Sequence, residues 1–108
     1  MATAVRTLQN FVDGEFVDSA DGATEDVTNP ANGEVIAEMP LSNEEDVNRA
    51  VGAAKRAFGE WSVTPPGERA TALLKLADLI EEHADELADL EAADAGKPRH
   101  RRSAGCRT

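Results

Sequence analysis

Residues 29–51 read NPANGEVIAEMPLSNEEDVNRAV, and the hydrophobic period changes inside them. Up to Met39 the apolar residues form a short run bounded by turn signals, Asn29-Pro30 and Asn32-Gly33 before it and Pro40 after it. That is how a strand following a turn reads. From Ser42 the spacing becomes three and four, so Val47, Ala50, Val51, Ala54, Phe58 and Trp61 fall on one face of a helix. Ser42 and Glu45 fit a capping box, in which the hydroxyl accepts from one free backbone N–H and the carboxylate from another. Glu45 and Arg49 make a favourable i,i+4 pair. The stretch predicts a strand, then a helix over about residues 43–61.

Upstream, Asn10-Phe11-Val12 and Glu15-Phe16-Val17 flank Asp13-Gly14, a two-residue signal for a tight hairpin whose turn needs positive φ. In that register Phe11 faces Phe16. A further turn at Asp21-Gly22 precedes Thr24 to Thr28, which pairs with 34–39 as a second hairpin, so strands occupy about 10–40. Such ribbons are marginal alone and need something to lie against. Residues 1–7 are read as a disordered N-terminus.

Downstream, Thr64-Pro65 is a second helix start, because proline suits the first helical position. Ala70, Leu73, Leu74, Ala77 and Ile80 form its expected buried stripe, continued by Ala84, Leu87 and Leu90 through a kink near His83. Gly96 and Pro98 stop the pattern, giving helix over about 65–95. The expected class is α+β: two N-terminal β-hairpins, then two or three α-helices.

The chain has 108 residues, with Lys+Arg 11 against Asp+Glu 21 and a formal charge of −10. Hydrophobic residues make up 41% but include only one Trp and three Phe, so Ala, Val and Leu must fill a modest core. No run approaches the about 18 apolar residues of a membrane span, and no leader pattern opens the chain, so the expected location is cytoplasmic. The acidic balance argues against nucleic acid as a main partner. Charge is not evenly spread. All 21 acids lie at or before Asp94, whereas Lys97, Arg99, Arg101, Arg102 and Arg107 crowd the end with His100 and no large apolar residue. Residues 99–108 are therefore read as a disordered basic tail. Eight acids and no Lys or Arg stand between 78 and 94, either a solvated face or a surface for a basic partner.

Chemistry is sparse. One cysteine makes no internal disulfide and no zinc cluster. Cys106 with His83 or His100 is the only nucleophile–base combination, and a flexible tail cannot hold it in fixed geometry; an adventitious thiol is the alternative. No G-x-G fingerprint and no P-loop occurs among the eight glycines, and Asp18 and Asp21 lack calcium-loop spacing.

The series FVDGEFVDSADG, VTNPANGEVIAEMPL, EEDVNRAVGAAKRAF-x-x-W and TPPGERATALLKLADLIEEHADELADLEAADAGKP resembles the N-terminal segment of NAD(P)-dependent aldehyde dehydrogenases over about residues 8–98. The ending LEAADAGKP is most similar to the betaine aldehyde and aminobutyraldehyde branch. The resemblance implies the N-terminal part of the α/β aldehyde dehydrogenase fold, in an enzyme several times longer that forms homo-oligomers, oxidises an aldehyde and uses NAD or NADP. In that family the catalytic cysteine, general base and oxyanion asparagine come later, so no catalytic or cofactor-binding residue is carried over. It further implies a potassium or sodium site using main-chain oxygens of Val27 and Thr28 with Asp94, completed by at least one ligand from elsewhere, so that neither the ion nor NAD(P) is expected to bind this fragment well. The residues alone leave open that Asn29-Pro30 is only a turn and Asp94 only a surface acid. The resemblance ends at Pro98, where the charge breaks. That fits a truncated coding region whose last codons are read out of frame, the rival being a genuine short protein with a basic tail. The expected function is accordingly a fragment of an aldehyde oxidoreductase, incompetent alone; the alternative is a small interaction module that self-associates or binds a protein through its apolar helical face.

Overall fold

A computed structural model describes residues 5–98. The basic tail with His100 and Cys106 lies outside the described residues, as do residues 1–4. Five strands precede three helices: β1 (Arg6–Thr7), β2 (Asn10–Val12), β3 (Glu15–Val17), β4 (Thr24–Thr28), β5 (Val35–Pro40), α1 (Glu44–Trp61), α2 (Pro66–Glu82) and α3 (Ala84–Ala95).

The first hairpin follows from its turn. Asp13 and Gly14 both take positive φ, 54° and 79°, the twist that lets two strands continue without splaying. Phe11 pairs with Phe16, and their rings meet edge to face at 5.1 Å. β4 and β5 form the second hairpin, running from Thr24 opposite Pro40 to Thr28 opposite Val35 with a register irregularity at Val27/Thr28. Its turn is tied internally: Gly33 N–H donates to the Asn29 carbonyl at 2.8 Å, and Ala31 N–H donates to Asn29 Oδ1 at 2.9 Å.

The N-terminal seven residues are not wholly outside the fold. Arg6 and Thr7 pair in parallel with Ala37 and Glu38, and Leu8 N–H donates to the Glu38 carbonyl at 2.8 Å, giving a three-stranded sheet in the order β1-β5-β4. The free edge of β5 supplies the partner groups; a two-residue strand has no alternation to read beforehand.

The cap of α1 also differs from expectation by one residue. Asn43 is the N-cap: its Oδ1 accepts from Asp46 N–H at 3.2 Å, and Asp46 Oδ2 accepts from Asn43 N–H at 3.0 Å. Ser42 instead accepts a hydrogen bond from Asn10 Nδ2 at 2.8 Å. Asp46 wins because its carboxylate serves a second donor as well. Its Oδ1 accepts from Ala20 N–H at 2.8 Å, which holds the β3–β4 loop, and the side chain is buried. Glu45 makes its surface pair with Arg49 at 3.4 Å.

Thr64 likewise ends α1 rather than starting α2, its hydroxyl donating to the Glu60 carbonyl at 3.0 Å. Pro65 is the N-cap of α2 and Pro66 its first residue. The kink at His83 is a complete break, with φ −98° and ψ 17° separating α2 from α3.

The expected buried stripes are uncovered. Leu73 is 62% exposed and Leu74 67%, and Ile80, Val47, Val51, Phe58 and Trp61 are exposed as well. Ala37 and Ala53 are the buried apolar residues of the core, the latter on α1 with Ala50 half-buried near it. The molecule is a plate of 48 × 47 × 17 Å with a radius of gyration of 17.9 Å, against about 13 Å for a compact domain of 100 residues. Among the described residues nothing covers α2, none of whose residues is buried. Among the described residues no helix is long and apolar enough to cross a membrane.

The polar joint at Asp46 therefore holds what the small core does not. Asp46→Ala removes two acceptors at once and lowers stability by about 2 kcal/mol, whereas Asn43→Ala removes one capping bond and costs about 1 kcal/mol. Urea unfolding followed by circular dichroism reads both; equal losses would contradict the joint.

Candidate functional site

A cleft of about 980 Å³ lies between the β4–β5 hairpin and α3. Leu8, Val27, Ile36 and Ala37 form its sheet wall, Asn29, Asn32 and Glu34 its turn end, and Leu90, Ala93 and Asp94 part of its helical wall. Five carboxylates reach it, those of Glu34, Glu86, Asp89, Glu91 and Asp94, against one guanidinium, Arg6. A cation is favoured there by charge count, and an anion is not.

Of the three residues expected at a cation site, Val27 and Asp94 line this cleft together. Thr28, the next residue of β4, pairs with Val35 just past the register irregularity and is not on the lining. The expected donors, main-chain oxygen and carboxylate, would be hard oxygen ligands of the kind that potassium or sodium takes. Among the described residues no group of three His, Cys, Asp or Glu side chains is placed to hold a metal ion.

The helical wall is positioned by two contacts. Arg6 on β1 reaches Glu86 Oε1 at 3.7 Å, while His83 Nδ1 lies 3.4 Å from Glu86 Oε2; all three side chains are half-exposed, so these pairs orient more than they stabilise. At the other end Gly96 caps α3 in the left-handed region, φ 68°, directly against Pro30 and Ala31. Residue order marks Gly96 as a stop and gives no sign of this contact. It gives no sign of Arg6 either, because nothing local signals a strand there. Among the described residues, His83 is a surface residue at the junction of α2 and α3. Cys106 and His100 lie outside them.

Lys97 folds back so that its Nζ lies 2.8 Å from Glu91 Oε1. The hydrogen bond from Lys97, and then its charge, hold the Glu91 carboxyl below the usual carboxylate range.

The sequence profile described as the aldehyde dehydrogenase family matches residues 16–107. Malonate-semialdehyde dehydrogenase 1 of Geobacillus thermodenitrificans is 50% identical over 97 residues, covering 90% of this chain and 20% of that protein. Aminoacetaldehyde dehydrogenase of Pseudomonas aeruginosa is 50% identical over 90 residues, covering 82% of this chain and 18% of the relative. A crystal structure of a point mutant of betaine aldehyde dehydrogenase from Staphylococcus aureus, in complex with NAD+, matches at a TM-score of 0.79 and 44% identity, over 82% of this chain and 18% of that one. The chain thus spans about one fifth of the length of the curated relatives it matches. Its strands and helices are those of the N-terminal part of that fold. The likeness extends across the family and does not single out the betaine aldehyde and aminobutyraldehyde branch.

Because the carboxyl of Glu91 is depressed in the folded chain, the Lys97 contact favours folding above the ordinary carboxylate range and is lost as pH falls through the lowered value. Lys97→Met is expected to return the Glu91 titration, followed by carboxyl-carbon NMR, to the ordinary range. An unchanged titration would remove Lys97 as the cause.

Proposed function

The chain belongs to the aldehyde dehydrogenase family, and on that premise we propose that it is the N-terminal segment of a cytoplasmic NAD(P)-dependent oxidoreductase converting an aldehyde to a carboxylic acid. As a separate polypeptide these 108 residues do not turn over. The reaction needs a thiol nucleophile, a base and an oxyanion donor held together, with NAD(P), when bound, accepting the hydride. The carrying observation is the family match over residues 16–107 in a chain that spans about one fifth of its relatives' length. Betaine aldehyde and aminobutyraldehyde stand as finer substrate candidates beside malonate semialdehyde and aminoacetaldehyde.

The segment contributes structure and part of a cation site. The main-chain oxygens of Val27 and Thr28 and the carboxylate of Asp94 would hold potassium or sodium, in a cleft whose charge suits it. The ion would brace the β4–β5 turn against α3.

One observation favours a second reading, a protein-interaction module or self-associating chain: the contiguous exposure of Leu73, Leu74, Leu76, Leu79 and Ile80 on α2.

Purified chain incubated with NAD or NADP and a panel of aldehydes is expected to give no reduced cofactor by absorbance, and light scattering on the same sample separates a monomer from a defined oligomer. Turnover that disappears in Cys106→Ser would overturn the proposal; a discrete stable oligomer would favour the second reading.

A further inference from the structure

The cleft between the β4–β5 hairpin and α3 gathers one charge and holds little to balance it. Glu34, Glu86, Asp89, Glu91 and Asp94 reach it, and among the described residues one basic group, Arg6, lines it with them. Arg6 is engaged by Glu86, and Glu91 is engaged by Lys97. Glu34 and Asp94, at the turn end, form no ion pair among the described residues. Between the carboxylates the walls are apolar, with Leu8 and Ile36 on one side and Leu90 on the other.

The chain that follows α3 carries the opposite charge. Lys97 opens a segment that holds Arg99, Arg101, Arg102 and Arg107 and no acid. It starts at the cleft itself. Gly96 lies against Pro30 and Ala31 at the turn end, and Lys97 folds its Nζ back to 2.8 Å from Glu91 Oε1, on the cleft lining. Length permits more of the segment to follow. From Glu86 to Asp94 the helix rises about 12 Å, whereas residues 99–108 span about 33 Å when extended.

We propose that residues 99–108 dock in this cleft of their own chain, continuing the contact that Lys97 makes. Their guanidiniums meet Glu34, Asp94 and the neighbouring carboxylates, and their methylene stems cover Leu8, Ile36 and Leu90. Arginine suits both halves of such a surface, because its planar fork pairs with carboxylates through two hydrogen bonds while its stem lies on apolar groups. A second copy presents the same groups, but a segment tethered at the rim of its own cleft meets them at an effective concentration of about millimolar. The inference does not rest on the cation reading.

Cys106 is the sole cysteine, so a nitroxide attached to it reports where the segment lies without any substitution. Amide signals of the isotopically labelled, spin-labelled chain are compared before and after reduction of the nitroxide. Signal loss is expected to concentrate at Leu8, Ile36 and Leu90 and to be much smaller over α1, none of whose residues lines the cleft. The signals are expected to recover in about 1 M sodium chloride, where the Debye length falls to about 3 Å. Arg99→Gln, Arg101→Gln, Arg102→Gln and Arg107→Gln together are expected to abolish the loss. Glu34→Gln with Asp94→Asn, which keeps the segment intact, is expected to weaken it. Loss confined to the amides beside Lys97, or spread evenly over the surface with α1 included, would overturn the docking. Loss seen only on a labelled chain without nitroxide, mixed with a spin-labelled one, would move the segment to a second copy and overturn its assignment to the same chain. Loss unchanged in the four-arginine variant would overturn the charge pairing that seats it.

Discussion

The carboxylate of Asp46 holds the first helix to the strands before it. One oxygen takes the Asn43 N–H and closes the cap of α1; the other takes the Ala20 N–H and ties down the loop between β3 and β4. Around that loop, Ser19 Oγ donates to the Ala23 carbonyl at 2.7 Å, and Asn10 Nδ2 reaches Ser42 Oγ, so hairpin, loop and helix start meet in one polar knot. Charge-assisted bonds of this kind are worth more than neutral ones. Here they matter more than usual, since no large apolar side chain is fully buried among the described residues.

The uncovered apolar faces follow from the same geometry. A plate 17 Å thick is about one helix and one sheet deep, so α2 turns Leu73 and Leu74 outward with no layer to receive them. Isolated acidic helices carrying like charges at i,i+4 are held by their apolar side or not at all. The α2–α3 arm meets the sheet at the β4–β5 cleft, through Arg6 with Glu86 at one end and Gly96 with Pro30 at the other.

Much of this was legible from residue order alone. Asp13-Gly14 set the first hairpin and the Phe11–Phe16 pairing, Asn32-Gly33 the second, and the three-and-four spacing after residue 43 the helices. What escaped did so for physical reasons. Asn43 and Asp46 mimic the spacing of Ser42 and Glu45, and only the distant Ala20 N–H decides between them. β1 is ordered by an edge far along the chain, at Ala37 and Glu38. The apolar periodicity on α2 gave the helix, but the burial expected of its stripe is not met among the described residues, because periodicity carries no information on what covers a face. At the candidate site, Val27 and Asp94 do share a cleft, whereas the contact of Gly96 with Pro30 is visible only once the turn and the helix end are placed together.

Complementation puts the assignment to trial in a single assay. The chain would be co-expressed with the remainder of a family aldehyde dehydrogenase lacking the corresponding first fifth, and aldehyde-dependent NADH formation measured in the purified complex. Activity is expected from the pair and from neither part alone, and is expected to be lost when Leu73 and Leu74 are both replaced by Asp. No association and no activity, from two parts each shown to be folded, would contradict the claim that this chain is the N-terminal segment of such an enzyme.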